Sequence, residues 1–524
     1  MGEHKDSSPE TARGTSERPF AWLDKLLLAL AIAAVALHPT QITVRQWADL
    51  AVKTLGFGAS LAARVPAVNV TVSDALLLGV FPLWLLMHWR RGTLLERLRA
   101  YPLALLAVLV AAILSVHASL KPSTLRMTAD YGRAAKELIQ LALFFVCSYM
   151  VLVDYLSRAR CRGRILAAFL AAVAVAVLVG VVEYAQLRPP SPQARQAGVI
   201  TSVMDVDATF GFRGEAAGAH EKIGTSSNRN VLGAWVTLAL PLMWAIFLFG
   251  RRTEVRIGAL VLSAAGGLLL LQAGLWAAAL LAILALSFMR GRLQFALTAV
   301  GILVFYALVF SFCPQRQGLV LLDSVMLHTE TDSFRTLPLY EIDPALDASG
   351  NGADLTEPRF SPWQQKYIEW QPALIAAASS PLFGVGLGNY QMAVNQFYTP
   401  REWPQYRMPV KAVANLMEKS ANPFLAVWLA ETGFLGLLAF AWLMFTFLRS
   451  GAAGAASEQA TDRQDSAVWN AVGGTKALKA GACAALGAAA LGCLFTNYWV
   501  RGVGTAFVLV LALCTMTSPR DGED

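Results

Sequence analysis

Read for polarity alone, the chain is a succession of apolar runs separated by charged breaks. Runs of about 20 apolar residues match the thickness of a bilayer's hydrocarbon core when they are wound as helices. Such helices are expected at 20–37, 73–89, 101–117, 134–154, 164–186, 230–249, 256–271, 275–289, 294–311, 423–447, 472–495 and 503–517. The pattern predicts an all-α, polytopic transmembrane bundle of about 12 spans. The alternating segments of about ten residues that mark a transmembrane β-barrel are missing.

The breaks divide the chain further. Residues 1–19 read as a disordered cytoplasmic tail, 20–311 as an N-terminal bundle of about nine spans, 312–420 as one large loop and 421–517 as the C-terminal spans. A linker is expected at 449–471, a polar loop at 187–228 and a short tail at 518–524. Segment 43–62 is too polar to span, but Val44, Trp47, Leu50 and Leu55 give it the face of a helix lying in the interface. A loop of about a hundred residues is usually functional, so short helices and a site for a polar substrate are expected within 312–420.

Composition narrows the class. Of 524 residues 56% are hydrophobic and 15% charged, and the mean hydropathy is +0.50, well away from a soluble globular protein. The net charge of +8 is an orientation signal rather than a nucleic-acid footprint. Arg90, Arg91, Arg97 and Arg99, then Arg158, Arg160, Arg162 and Arg164, then Arg251, Arg252 and Arg256, then Arg290 and Arg292 fall in breaks on one side. By the positive-inside rule that side is the cytoplasm, both termini lie there, and loops 187–228 and 312–420 face outward. The six cysteines form no CxxC pair and the histidines are scattered, so neither a metal site nor a cofactor is expected.

Three segments carry a resemblance. They are GTSSNRNVLGAWVTLALPL (224–242), KYIEWQPALIAAASSPLFGVGLGNY (366–390) and ANPFLAVWLAETGFLG (421–436). In order and spacing they resemble the O-antigen polymerase and ligase family, GT-C-like glycosyltransferases of bacterial inner membranes. Two departures stand out. Where ligases of that family carry a His at the mouth of the last motif, this chain has Ala421 and Asn422. Where the family has Ser-Arg-Gly between two short spans, it reads Leu271, Gln272, Ala273 and Gly274. The missing His tips the expectation toward the polymerase branch.

The resemblance implies transfer of a glycan from an undecaprenyl diphosphate carrier to a glycan acceptor at the periplasmic face, within a bilayer and without nucleic acid. A chain-length regulator or other assembly protein is a possible partner. Such a reaction needs cations on the diphosphate, whose charge grows as the glycosidic bond breaks, and a group that orients or deprotonates the acceptor hydroxyl. Lys222, Arg229, Lys366, Arg133 and Lys136 are the candidates for the diphosphate. Lys366 stands four residues before Trp370, where the family tends to have Arg. Arg213, followed at the family's spacing by Gly224, is a catalytic candidate together with Glu431 and Glu221; Glu369 and Glu418 are alternative bases. An ionisable residue about a dozen Å into an apolar helix, as Glu431 is expected to be, is a functional candidate by default. Its alternative role is a buried partner for one of the cations, and that of Arg133 and Lys136 is ordinary snorkelling. Gly384, Gly386 and Gly388 read as a tight turn, since no strand precedes them.

Other functions stay open at this stage. Ligation, or oligosaccharyl transfer to protein, would use the same donor. A secondary transporter would show internal repeats and broken helices. A non-catalytic assembly subunit would explain the missing His and Arg.

Overall fold

The computed structural model describes residues 21–40, 71–119, 131–186, 225–270, 273–312, 362–390, 423–457, 467–496, 498 and 503–516. The fold is all-α, and no β-strand occurs among the described residues. The helices are α1 (Ala21–Leu37), α2 (Val72–Arg90), α3 (Leu94–Arg99), α4 (Leu103–Ser119), α5 (Tyr131–Ala142) and α6 (Tyr149–Ser157). They continue as α7 (Ala159–Gln186), α8 (Thr225–Phe249), α9 (Thr253–Leu269), α10 (Ala273–Arg290), α11 (Arg292–Phe312) and α12 (Pro362–Ser379). The last are α13 (Phe424–Ser457), α14 (Ala467–Ala471), α15 (Gly474–Gly492) and α16 (Val503–Thr515). α5 and α6 are one helix interrupted by a π turn at Leu143–Ser148, where the Tyr101 hydroxyl donates to the Phe145 carbonyl at 2.9 Å.

Five helical stretches are long and apolar enough to cross a membrane: Val72–Arg90, Ala134–Ser157, Arg160–Val182, Arg292–Val309 and Phe424–Ala455. Leu103–His117, Gly233–Phe249, Leu275–Arg290 and Val503–Thr515 are shorter apolar helices. The surface agrees with this character. On α11, Leu293 is 74% and Leu303 71% exposed, and Leu297, Val300, Val304 and Leu308 are exposed beside them. Water would penalise so continuous an apolar face, whereas hydrocarbon does not.

α16 lies at the centre. Every residue from Val503 to Cys514 is buried, unlike those of the similarly apolar α11. It packs against α15, α13, α6, α8 and the π turn. Gly504 lets the Phe144 ring of that turn lie directly against the α16 backbone. α8 and α15 run antiparallel in the most extensive helix pair. At one end the Arg251 N–H donates to the Ala471 carbonyl at 3.1 Å. Midway, a Cβ on Gly481 would lie 3.1 Å from the Cα of Leu242, and at the far end Gly233 and Gly492 both flank Leu275. Small residues make that approach possible, the usual device where lipid supplies no hydrophobic drive between helices.

Two boundaries differ from expectation. The segment expected as a linker from 449 is helical through Ser457, because GAAGAAS is rich in alanine, the best helix former, and simply continues α13. The loop expected to reach 228 ends earlier, since α8 already begins at Thr225. The interfacial helix expected at 43–62 lies outside the described residues.

Candidate functional site

The second and third resemblance segments meet in space, and they meet backbone to backbone. α13 is broken at Gly433, whose φ of 65 and ψ of −162 are non-helical. A break frees carbonyls on one side and N–H groups on the other, and in an apolar setting each needs a partner. The turn after α12 supplies them. Val385 N–H donates to the Ala430 carbonyl at 2.8 Å and Gly386 N–H to the Glu431 carbonyl at 3.0 Å. In return Phe434 N–H donates to the Pro381 carbonyl at 2.7 Å and Leu435 N–H to that of Leu382 at 3.2 Å. Ser115 of α4 adds its hydroxyl to the Glu431 carbonyl.

Glycine is required at this interlock for two reasons. Gly384, at φ 69, and Gly433, at φ 65, occupy the left-handed region that side chains rarely adopt. A Cβ on Gly384 would lie 2.5 Å from the Ala430 carbonyl oxygen and closer still to Glu431, while one on Gly433 would lie 2.5 Å from the Leu382 carbonyl carbon. Asn389 closes the turn, with its backbone N–H on Gly386 at 3.1 Å and its side-chain amide on Val385 at 3.3 Å.

The same elements converge at one end of the bundle. Phe424 and Leu425, which open α13, donate their N–H groups to the Thr496 and Cys493 carbonyls, both at 3.1 Å. The Trp370 indole of α12 donates to the Leu494 carbonyl at 3.0 Å. Gly492 sits level with Gly233 of α8 across Leu275, and Arg229 lies about one helical turn further toward that end. The helices that carry Arg229 and Lys366 are thus brought to the same end, around residues 492–496. Their side chains lie outside the described set, as do Arg213, Glu221 and Lys222 entirely. Arg133 is placed only as a backbone position in the first turn of α5, and Lys136, one turn on, is exposed.

Seven residues beyond Phe424, Glu431 lies about 10 Å deeper along α13, 5% exposed and two residues before the break. It lies beneath the glycine turn, whose Gly386 N–H is bonded to the Glu431 carbonyl. The sequence carries no sign of the break beside it, because Gly433 follows Glu431 and Thr432 within an apolar run that reads as one helix.

At the opposite ends of α2 and α6 lies a second polar cluster, which the sequence reading passed over. Asp154 is 2% exposed. One of its oxygens accepts from the Trp84 indole at 3.1 Å, from His88 Nε2 at 3.2 Å and from Arg158, and Arg97 approaches the other at 3.2 Å. Arg158 also reaches both oxygens of Asp24 at 2.9 and 2.8 Å, and Arg91 stands 3.9 Å from the same carboxylate. Burial alone would lower the Arg158 pKa, but the two carboxylates outweigh it and hold the guanidinium above its ordinary value. Three arginines read as free orientation charges are therefore partly neutralised by two aspartates, which tie α1, α2, α3 and α6 together.

A buried histidine ends α1. His38 is 1% exposed, its Nδ1 lies 2.5 Å from the Val35 carbonyl, and its Nε2 accepts from the Trp235 indole at 2.9 Å. Only the neutral ring fits that arrangement, and burial pushes its pKa down to about 4, against a smaller opposing effect of the Val35 carbonyl. The unfolded chain takes up the proton first, near its ordinary value of 6.5. The contribution of His38 is therefore intact above about pH 6.5 and is lost as pH falls toward 4, by about 3 kcal/mol in all. Unfolding midpoints in detergent should drop across that window, and His38→Gln should flatten the slope.

The chain is thus an all-helical protein with several apolar helices of membrane-spanning length, built around a broken helix closed by a glycine turn. Compared with models of known families and with characterised proteins, it finds no match.

Proposed function

We propose that this chain is an integral membrane glycosyltransferase that joins undecaprenyl diphosphate-linked oligosaccharide repeat units into a surface polysaccharide. In this reading it spans the bacterial inner membrane about twelve times with both termini in the cytoplasm, and its site faces the periplasm. The observation that carries the reading is the convergence at one end of the bundle. The helices bearing Arg229 and Lys366 both reach the level of residues 492–496, where the third resemblance segment opens α13.

The chemistry follows from what such an end can hold. The acceptor hydroxyl oxygen attacks the anomeric carbon of the donor, and the bond from that carbon to the diphosphate oxygen breaks. Undecaprenyl diphosphate leaves with the electron pair, and the hydroxyl proton passes to a carboxylate or to water. Arg229, Lys366, Lys222 and Arg213 offset the growing diphosphate charge, so no metal is required. Among the acids, Glu221 is the base this reading favours, and Glu431 acts beneath the rim as part of the buried support.

Glycan profiling of a deletion strain tests the reading. Single repeat units accumulating on the carrier, or capping the surface glycan once, is the expected result; full-length chains stranded on the carrier would assign ligation instead. Alanine at Arg229 or Lys366 should lower polymer output by about a hundredfold, in the range seen when one preorganised charge contact is removed. Normal output from alanine variants of Arg213, Lys222, Arg229 and Lys366 alike would sink the catalytic reading in favour of an assembly subunit.

The break at Gly433 favours a second reading, because discontinuous helices line the substrate sites of many secondary transporters. Here, however, backbone groups on both sides of the break are bonded to the turn, and the start of its second half-helix is capped by the Pro381 and Leu382 carbonyls rather than open to an anion. Unchanged glycans in the deletion strain would return the transporter to first place.

A further inference from the structure

We propose that the half of α13 beyond the break carries a binding furrow for a single anionic phospholipid, with an acyl chain along Trp442 and Phe445 and the phosphate on Arg449. The furrow has a volume of about 350 Å³ and is lined by Trp442, Phe445, Thr446, Arg449, Ser450 and Ala453. These residues recur at helical spacing on one face of α13, over about 16 Å of its length. Trp442 and Phe445 are 48% and 63% exposed, so their rings form the walls rather than the core.

Three features select the occupant. In a bilayer an apolar furrow of this length is filled by hydrocarbon, and an aromatic wall gives a chain a fixed bed. Between that bed and Ala453 stands Arg449, with no carboxylate within ion-pair distance among the described residues. A guanidinium matches a phosphodiester in shape and charge. The floor is rigid: the Ser450 hydroxyl donates to the Cys514 carbonyl at 3.2 Å, and Gly451 lets α13 rest on Cys483 and Cys514. Under the positive-inside assignment, Arg449 lies at the cytoplasmic leaflet, where anionic headgroups are met.

This inference rests on the membrane reading and not on the glycan chemistry. The test is native mass spectrometry of the full chain in nanodiscs of mixed phosphatidylglycerol and phosphatidylcholine, counting lipids retained per protein. Wild type should retain phosphatidylglycerol preferentially. Arg449→Gln should lower that preference about fivefold, the effect of one cation near an anionic surface. Arg449→Lys should keep most of it, and Trp442→Ala, which removes one wall of the acyl bed, should release the lipid with Arg449 intact. Equal retention of both lipids by wild type, or an unchanged preference in Arg449→Gln, would overturn the proposal while leaving the membrane reading in place. A chain that does not enter nanodiscs would overturn both.

Discussion

Alanine in place of Gly384 is expected to destabilise the protein by about 4 kcal/mol, more than any conservative change on its surface. The left-handed backbone accounts for about 1–2 kcal/mol. The remainder comes from the new methyl, which meets the backbone of Ala430 and Glu431 rather than a side chain that could swing away. Either α13 shifts or the turn lifts out, and lifting leaves buried N–H and carbonyl groups unbonded at about 1–3 kcal/mol each. Gly433→Ala should behave alike, because its methyl meets Leu382 and Gly384 from the other side. The double variant should be far less destabilised than the sum of the singles, since both open the same interlock. Denaturant titration in detergent measures all three. Additivity would mean that the turn and the break are held independently.

Asp154→Ala is expected to be nearly as severe, at about 3–5 kcal/mol. The carboxylate itself is not the main stabiliser; its partners are the reason. Removing it leaves Arg158 with Asp24 alone and Arg97 with no counter-ion among the described residues, and it strips Trp84 and His88 of their acceptor. Asp154→Asn keeps an acceptor for the indole and the imidazole but not the charge, so it should fall between alanine and wild type. Thermal unfolding in detergent orders the three. Were alanine and asparagine equal, the network would act through its charge alone.

The two polar clusters show where sequence reading runs out. Apolar runs as long as Phe424–Ala455 or Arg160–Val182 announce themselves because nothing else in a chain looks like them. The Gly384–Gly388 stretch was legible as a turn, but its partner was not. The bonds that join it to Ala430, Glu431, Phe434 and Leu435 run between backbone groups, which every residue has and no sequence pattern marks. Asp154 was hidden differently. Of its four donors only Arg158 is local, at i+4, while Trp84, His88 and Arg97 come from helices some sixty to seventy residues earlier. The helices that bring the Arg229 and Lys366 backbones to one end were nearly legible. Their common level could be read only once Gly233, Gly492 and Leu494 had been placed. The apolar-all-round sequence of α16 carried no sign of its position, since α11 is apolar as well and exposes Leu293 and Leu303.

That central position has a consequence for how the protein is made. α16 leaves the ribosome after the other described helices, so its neighbours are made before the helix they enclose exists. With chain growth at about 5–20 residues per second, α1 waits roughly 25 to 95 seconds for α16. During that interval the flanks of α6, α8, α13 and α15 that will meet α16 face lipid or one another. Assembly of these helices is therefore timed by the synthesis of α16, and a nascent chain stalled before Val503 would hold the described neighbours of α16 around an empty axis.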